Sequence, residues 1–106
     1  MADFTDLIRQ AVARNNYVMT HHARQRKGIR EIEDREIAHA ILHGEAIEHS
    51  PHAQPHPKCL FMYPVRADEP LYVACAYNAR QNIAIIVTVH WYDSDKWIDW
   101  RTRKRR

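Results

Sequence analysis

Apolar residues in this chain recur with a helical period up to Gly44 and a strand period after it. That switch constrains the fold more than any other feature. Phe4, Leu7, Ile8, Ala11 and Val12 stand at i, i+3, i+4, i+7 and i+8, the stripe of an amphipathic helix, with Asp3 placed to cap it. Asn15-Asn16 breaks the stripe. Tyr17-Val18-Met19 reads as a short extended entry, and Thr20 is placed to cap a brief helix over His21 to Arg26. Lys27-Gly28 closes that helix, with Gly28 able to supply the left-handed C′ conformation. A third helix is read from Ile29, Ile32, Ile37, Ala40, Ile41 and Leu42. Its first turns hold Glu31, Glu33 and Asp34, and Gly44 stops it.

Beyond Gly44, Ala46-Ile47-Glu48 starts a short strand. Pro51, Pro55 and Pro57 then exclude regular structure from the loop His49 to Pro57. Three strands follow, Cys59–Val65, Leu71–Tyr77 and Ile83–Tyr92. Arg66-Ala67-Asp68-Glu69-Pro70, a link of hairpin length, joins the first two, and Asn78 to Asn82 leads into the third. The last strand is apolar on both faces until Thr88 and His90. That pattern suits either a central strand covered on each side or one with a partly buried functional face. Trp97 and Trp100 are expected to fold back as a lid on the core. Helices first, then an antiparallel meander, make the fold class α+β: N-terminal helices packed on a small curved antiparallel sheet. The expected organisation is one domain over residues 1–100 with a basic tail at 101–106.

A hydrophobic share of 45% with only 2 glycines belongs to a folded globule. No apolar run is long enough to cross a bilayer, and Met1-Ala2-Asp3-Phe4 has no basic stretch before an apolar one. A soluble, cytoplasmic protein without a membrane partner is expected. Cys59 and Cys75 fit no disulfide framework or zinc pattern and read as small core residues. The net charge of +3 is uneven. Residues 101–106 carry five of the 16 basic groups and no acid, so the other 11 face 13 acids and the body is slightly acidic. A basic end of this kind attracts nucleic acid without specificity, or is simply a solvated terminus.

Chemistry concentrates in Thr20-His21-His22-Ala23-Arg24-Gln25-Arg26. The helix dipole disfavours an imidazolium in the first turn and so favours the neutral form of His22, the candidate general base or acid. Arg26 lies one turn on, along the same face. An imidazole beside a guanidinium suits phosphodiester chemistry, one moving a proton while the other grips phosphate. The alternative is a capped helix with solvated polar residues. Arg24, Lys27 and Arg30 extend a positive patch read as nucleic-acid-binding. At the end of the last strand His90 and Tyr92 share a face and are candidates for a second proton-transfer or base-stacking group. His39 and His43 lie four apart on the third helix, and His49, His52 and His56 crowd the proline-rich loop. The helical pair could hold a metal by spacing but lacks a third convergent ligand, and the mobile loop lacks the mixed, fixed ligands of a structural zinc site, so no metal and no cofactor are expected. There is no nucleophile triad and no glycine-rich phosphate loop.

Taken in order, these segments resemble the family catalogued as domain of unknown function 4258. Its opening Tyr-x-x-[Thr/Ser]-x-His-Ala-x-x-Arg stands here as Tyr17-Val18-Met19-Thr20-His21-His22-Ala23-Arg24-Gln25-Arg26. A basic-Gly-Ile step follows at Lys27-Gly28-Ile29, then a helix ending at Gly44. The pattern closes with Pro70-Leu71-Tyr72-Val73, Ile86-Val87-Thr88-Val89-His90 and a distal Trp97. The spacer after Arg26 is about three residues shorter than the family's, and His90 stands where the family usually has Tyr. The family is grouped with RelE/ParE-like toxins. The resemblance therefore implies that architecture, RNA as partner (in some cases on the ribosome), metal-independent endoribonuclease activity, and an antitoxin protein. His22 and Arg26 fall on the family's shared His and Arg. The alternative is a non-catalytic module on the same fold that binds protein or nucleic acid. Edge strands in so small a sheet also suit a homodimer.

Overall fold

Local capping chemistry sets where each helix begins. In the computed structural model, which describes residues 3–66 and 69–104, α1 spans Phe4–Ala13. Asp3 accepts hydrogen bonds from the backbone N–H of Thr5 at 2.9 Å and of Asp6 at 3.1 Å. Left-handed Asn15, φ 59°, turns the chain out of the helix. Strand β1 (Tyr17–Met19) follows, then α2 (His21–Ile29). The Thr20 hydroxyl caps α2 by accepting from the N–H of Ala23 at 3.0 Å, and it donates to the Val87 carbonyl, also at 3.0 Å.

Two expectations are corrected between α2 and α3. Lys27-Gly28 does not end the second helix, which runs on to Ile29, and Gly28 does not adopt the left-handed conformation. Glu31 does so instead, at φ 54°. The third helix, α3, begins at Asp34 rather than at Ile29 and spans Asp34–His43, because Glu33 and Glu36 form a reciprocal capping box there. Ile29 is accordingly exposed at the end of α2, while Ile32 is buried in the connector. Arg66 locks this corner. Its guanidinium bonds both carboxylate oxygens of Glu36, at 2.9 and 3.0 Å, donates to the Glu31 carbonyl at 2.9 Å, and lies over the Trp91 ring.

Four longer strands complete the chain: β2 (Glu45–Ser50), β3 (Lys58–Arg66), β4 (Glu69–Asn78) and β5 (Ile83–Trp91). The sheet order is β1-β5-β4-β3-β2. The sheet is mixed rather than antiparallel throughout, since β1 runs parallel to β5, with Val18 opposite Ile85. Three extended residues ahead of a helix carry too little pattern to disclose that pairing. The strand expected at 46–48 reaches Ser50, so His49 belongs to it. Of the expected link between β3 and β4, Ala67 and Asp68 lie outside the described residues.

One face of the sheet packs under the helices, where Ile8, Ile37 and Ile41 meet Phe61, Val73 and Ile86. Cys59 and Cys75 face each other across β3 and β4 as free, buried thiols, and burial pushes Cys59 up to about 12. The other face carries a smaller cluster of Leu60, Met62 and Tyr72. Trp97 seals it at 1% exposure, the lid expected from the sequence. Residues 101–104 of the basic end turn back with that lid. Arg101 pairs with Glu45 and Arg103 with Glu48, and the Lys104 N–H donates to the Lys96 carbonyl at 2.9 Å. Arg105 and Arg106 lie outside the described residues. Among those described, no helix is long and apolar enough to cross a membrane.

Candidate functional site

Strand β5 outruns its neighbour β1, and the cleft exists because of that mismatch. β1 stops at Met19. From Val87 onward the edge of β5 is flanked by α2, with the Thr20 hydroxyl on the Val87 carbonyl and Arg30 Nη1 on the Val89 carbonyl at 2.8 Å. The Trp91 indole N–H closes the arrangement by donating to the Arg30 carbonyl at 3.2 Å.

A bulge then selects which side chains reach the cleft. Ala74 pairs with Thr88 but Cys75 with Ile86, so Val87 is an extra residue on β5. Without it, Thr88 and His90 would continue the buried row of Ala84 and Ile86. With it, Val89 takes that row, and Thr88 and His90 turn to the opposite side.

Two rows of side chains meet as a result. His22, Arg26 and Arg30 recur every fourth residue along α2 and its C-cap, about 6 Å of rise per step. Thr88, His90 and Tyr92 recur every second residue along β5 and just past it, about 6.6 Å per step. Both rows line one open cleft of about 630 Å³, together with Trp91, Asp93 and Lys96. The structure therefore brings His22 and Arg26 together with His90 and Tyr92, a pair 64 or more positions further along the sequence, and adds Arg30 to them.

His22 Nε2 lies 3.1 Å from Thr88 Oγ1, across the join between helix and strand. His90 Nδ1 lies 3.1 Å from its neighbour's carbonyl, that of Trp91. A carbonyl only accepts, so Nδ1 carries the proton and Nε2 keeps its lone pair. Burial holds His90 below the usual histidine range, and the positive charges of Arg30, Arg103 and Lys96 push the same way against the Trp91 carbonyl. The Tyr92 hydroxyl is 3.5 Å from the Trp97 carbonyl.

The basic cluster expected on α2 is split. Arg24 and Lys27 lie away from the cleft, beside a separate hollow lined by Tyr17, Val18 and Met19. There Lys27 pairs with Asp34 at 2.9 Å. Helical geometry is the reason, since residues two or five apart from the His22–Arg26 row point to other faces. Asp93 and Lys96 escaped the sequence reading, because a turn after a strand gives no periodic signal for where its charges point. His39 and His43 do share a face, ring centroids 4.5 Å apart. Among the described residues no three His, Cys, Asp or Glu side chains are grouped to hold a metal ion.

A family model described as a domain of unknown function, DUF4258, matches residues 19–91. The match runs from the last residue of β1 to the end of β5. It includes His22, Arg26, Arg30, Thr88, His90 and Trp91 of the cleft, and leaves Tyr92, Asp93 and Lys96 beyond it. No curated protein and no solved structure matches the chain.

Proposed function

The chain belongs to the family described as domain of unknown function DUF4258, and from that premise we propose that it is a toxin-like RNA-binding protein whose cleft cleaves RNA without a metal ion. The observation that carries this reading is the convergence of a His/Arg/Arg row and a Thr/His/Tyr row on one cleft. Arg26 and Arg30 supply the planar donors that grip a phosphodiester. His90, kept neutral by burial with Nε2 unprotonated, accepts the proton of a ribose 2′-hydroxyl. The 2′-oxygen then bonds to phosphorus while the bond from phosphorus to the 5′-oxygen breaks, leaving a cyclic phosphate. His22, acting in its protonated form and steadied by Thr88, gives the proton that the departing 5′-oxygen needs and is left as the neutral imidazole. Tyr92 offers a ring against which an unpaired base can stack.

The same reading places the fold with the RelE/ParE-like toxins. It is supported by helices on one face of a five-stranded sheet and a cleft beside the end of the last strand. It includes an antitoxin partner or a homodimer, for which the edge strands β1 and β2 are the available surfaces. It also includes a cytoplasmic site of action, in keeping with two free cysteines.

The test uses the purified chain and a His22→Ala variant with unstructured RNA in EDTA. The parent should leave 5′-hydroxyl and cyclic-phosphate ends, and the variant should be slower by roughly 10²–10⁴-fold. Equal cleavage by both, or none by either, refutes the catalytic role. Binding without cleavage favours the non-catalytic module.

A further inference from the structure

His90 rests on more than the cleft wall. Its ring lies nearly flat on Tyr72, with centroids 5.0 Å apart and planes 10° apart. Tyr72 in turn stacks on Trp97 at 4.6 Å and 23°. The Arg103 guanidinium lies over the Trp97 ring, 4.6 Å from its centroid. Arg103 Nε donates to Glu48 Oε2 at 2.6 Å, and Glu48 belongs to β2, the strand at the opposite edge of the sheet from β1. One unbroken row of contacts thus crosses the sheet face that the helices leave open, from an outer strand to the cleft.

Further bonds hold the stack beneath His90, although the buried Trp97 indole N–H has no hydrogen-bond partner among the described residues. The Tyr72 hydroxyl donates to the Trp100 carbonyl at 2.6 Å, which holds the middle ring in its plane. Trp97 and Arg103 face each other across a β-bridge, closed by Ile98 N–H on the Thr102 carbonyl at 2.8 Å and Lys104 N–H on the Lys96 carbonyl at 2.9 Å. The lid segment is therefore a small hairpin whose two ends hold the ring and the cation together. His90 itself has one hydrogen bond, to the carbonyl next to it in the chain. Its ring orientation depends on the surface beneath it.

We propose that the Arg103–Glu48 pair is a positioning clamp for His90, acting through Trp97 and Tyr72. The functional weight of this clamp rests on the reading of the cleft as the RNA site. Arg103 and Glu48 are both partly exposed, so the pair adds little to global stability, and its consequence is where Trp97 sits. It also gives the basic end a role other than loose attraction to nucleic acid. The Arg103 side chain is committed to Glu48 and Trp97.

Ring-proton NMR of the full chain is the test, since Tyr72 should displace the His90 ring protons upfield. Arg103→Ala should reduce that displacement and broaden the His90 resonances, and Glu48→Gln should do the same to a lesser degree. Lys104→Ala, which changes a neighbouring cation outside the stack, should leave them in place. The Trp97 indole resonance reports whether the lid has moved. If Arg103→Ala fails to fold, Glu48→Gln, which keeps every ring and the guanidinium, decides alone. Unchanged His90 resonances in a folded variant would overturn the clamp, whether or not the Trp97 resonance has moved. On RNA, Arg103→Ala should lower kcat roughly tenfold with little change in KM, as expected when a group is present but misplaced. Absence of cleavage by the parent protein would overturn the functional reading while the NMR outcome still decides the clamp.

Discussion

His90 ties the chemistry of the cleft to the stability of the fold. Burial disfavours its charged form, and Arg30 from the C-cap of α2 with Arg103 and Lys96 from the lid reinforce that direction. In the unfolded chain the same histidine protonates near 6.5. Between that value and its lower folded value the unfolded state binds more protons, so stability increases with pH across this window. The His90 contribution is complete above the unfolded value. It declines as pH falls through it, and it levels off below the folded value. Urea midpoints measured from pH 8 to pH 5 should therefore fall, and His90→Gln should flatten part of that fall. An identical pH profile in the variant would mean that other histidines carry the whole dependence. The same sign favours a working base at neutral pH and a cleft weakened by acid.

Elements meet tightly where α3 turns into β2. Gly44 has φ −81°, open to any residue, so glycine is not needed there for its backbone freedom. It is needed for space. A Cβ would overlap the Ala40 carbonyl oxygen and stand 2.7 Å from that of Met62. Arg9 of α1 completes the junction, donating to the Ile41 carbonyl at 3.0 Å and the Gly44 carbonyl at 2.9 Å. Gly44→Ala should cost roughly 1–3 kcal/mol, the range for overpacking a tight site, read from the shift in urea midpoint. A cost under about 0.5 kcal/mol, the size of an ordinary surface change, would show that the junction yields. Gly44 also marks what the sequence could disclose. Its place between a helical stripe and a strand pattern was legible, as were the Asp3 and Thr20 caps and the Trp97 lid, because each follows from residues within a few positions. The rest depended on distant partners. Parallel pairing of β1 needs β5 beside it, and the Val87 bulge appears only against β4. The start of α3 was locally encoded by Glu33 and Glu36, but the apolar run from Ile29 masked it. His22 and Arg26 were legible as a pair on one face, whereas Arg24 and Lys27 were grouped with them on charge alone, and helix geometry separates them.

At the scale of the whole molecule, placement of charge matters more than its total. The chain holds 16 Lys and Arg against 13 Asp and Glu. Among the described residues, Arg9, Lys27, Arg35, Arg66, Arg101 and Arg103 take part in ion pairs. Arg26, Arg30 and Lys96 of the cleft do not. Arg30 spends one N–H on the Val89 carbonyl and keeps its charge and its other donors. These three cations should therefore neutralise about three phosphates of an RNA strand seated in the cleft. For a single strand the logarithm of affinity falls by about 0.7 per phosphate for each unit in the logarithm of salt, which gives a slope near −2. Titration of a short unstructured RNA between 50 and 300 mM salt measures it, and Arg26→Gln should make the slope shallower by about 0.7. A slope of about −4 or steeper, unaltered by Arg26→Gln, would place the RNA on the remaining cations and remove the cleft from the account. A shallow slope that responds to Arg26 would mean that a weakly charged body still confines RNA to the one place where α2 and β5 leave room for it.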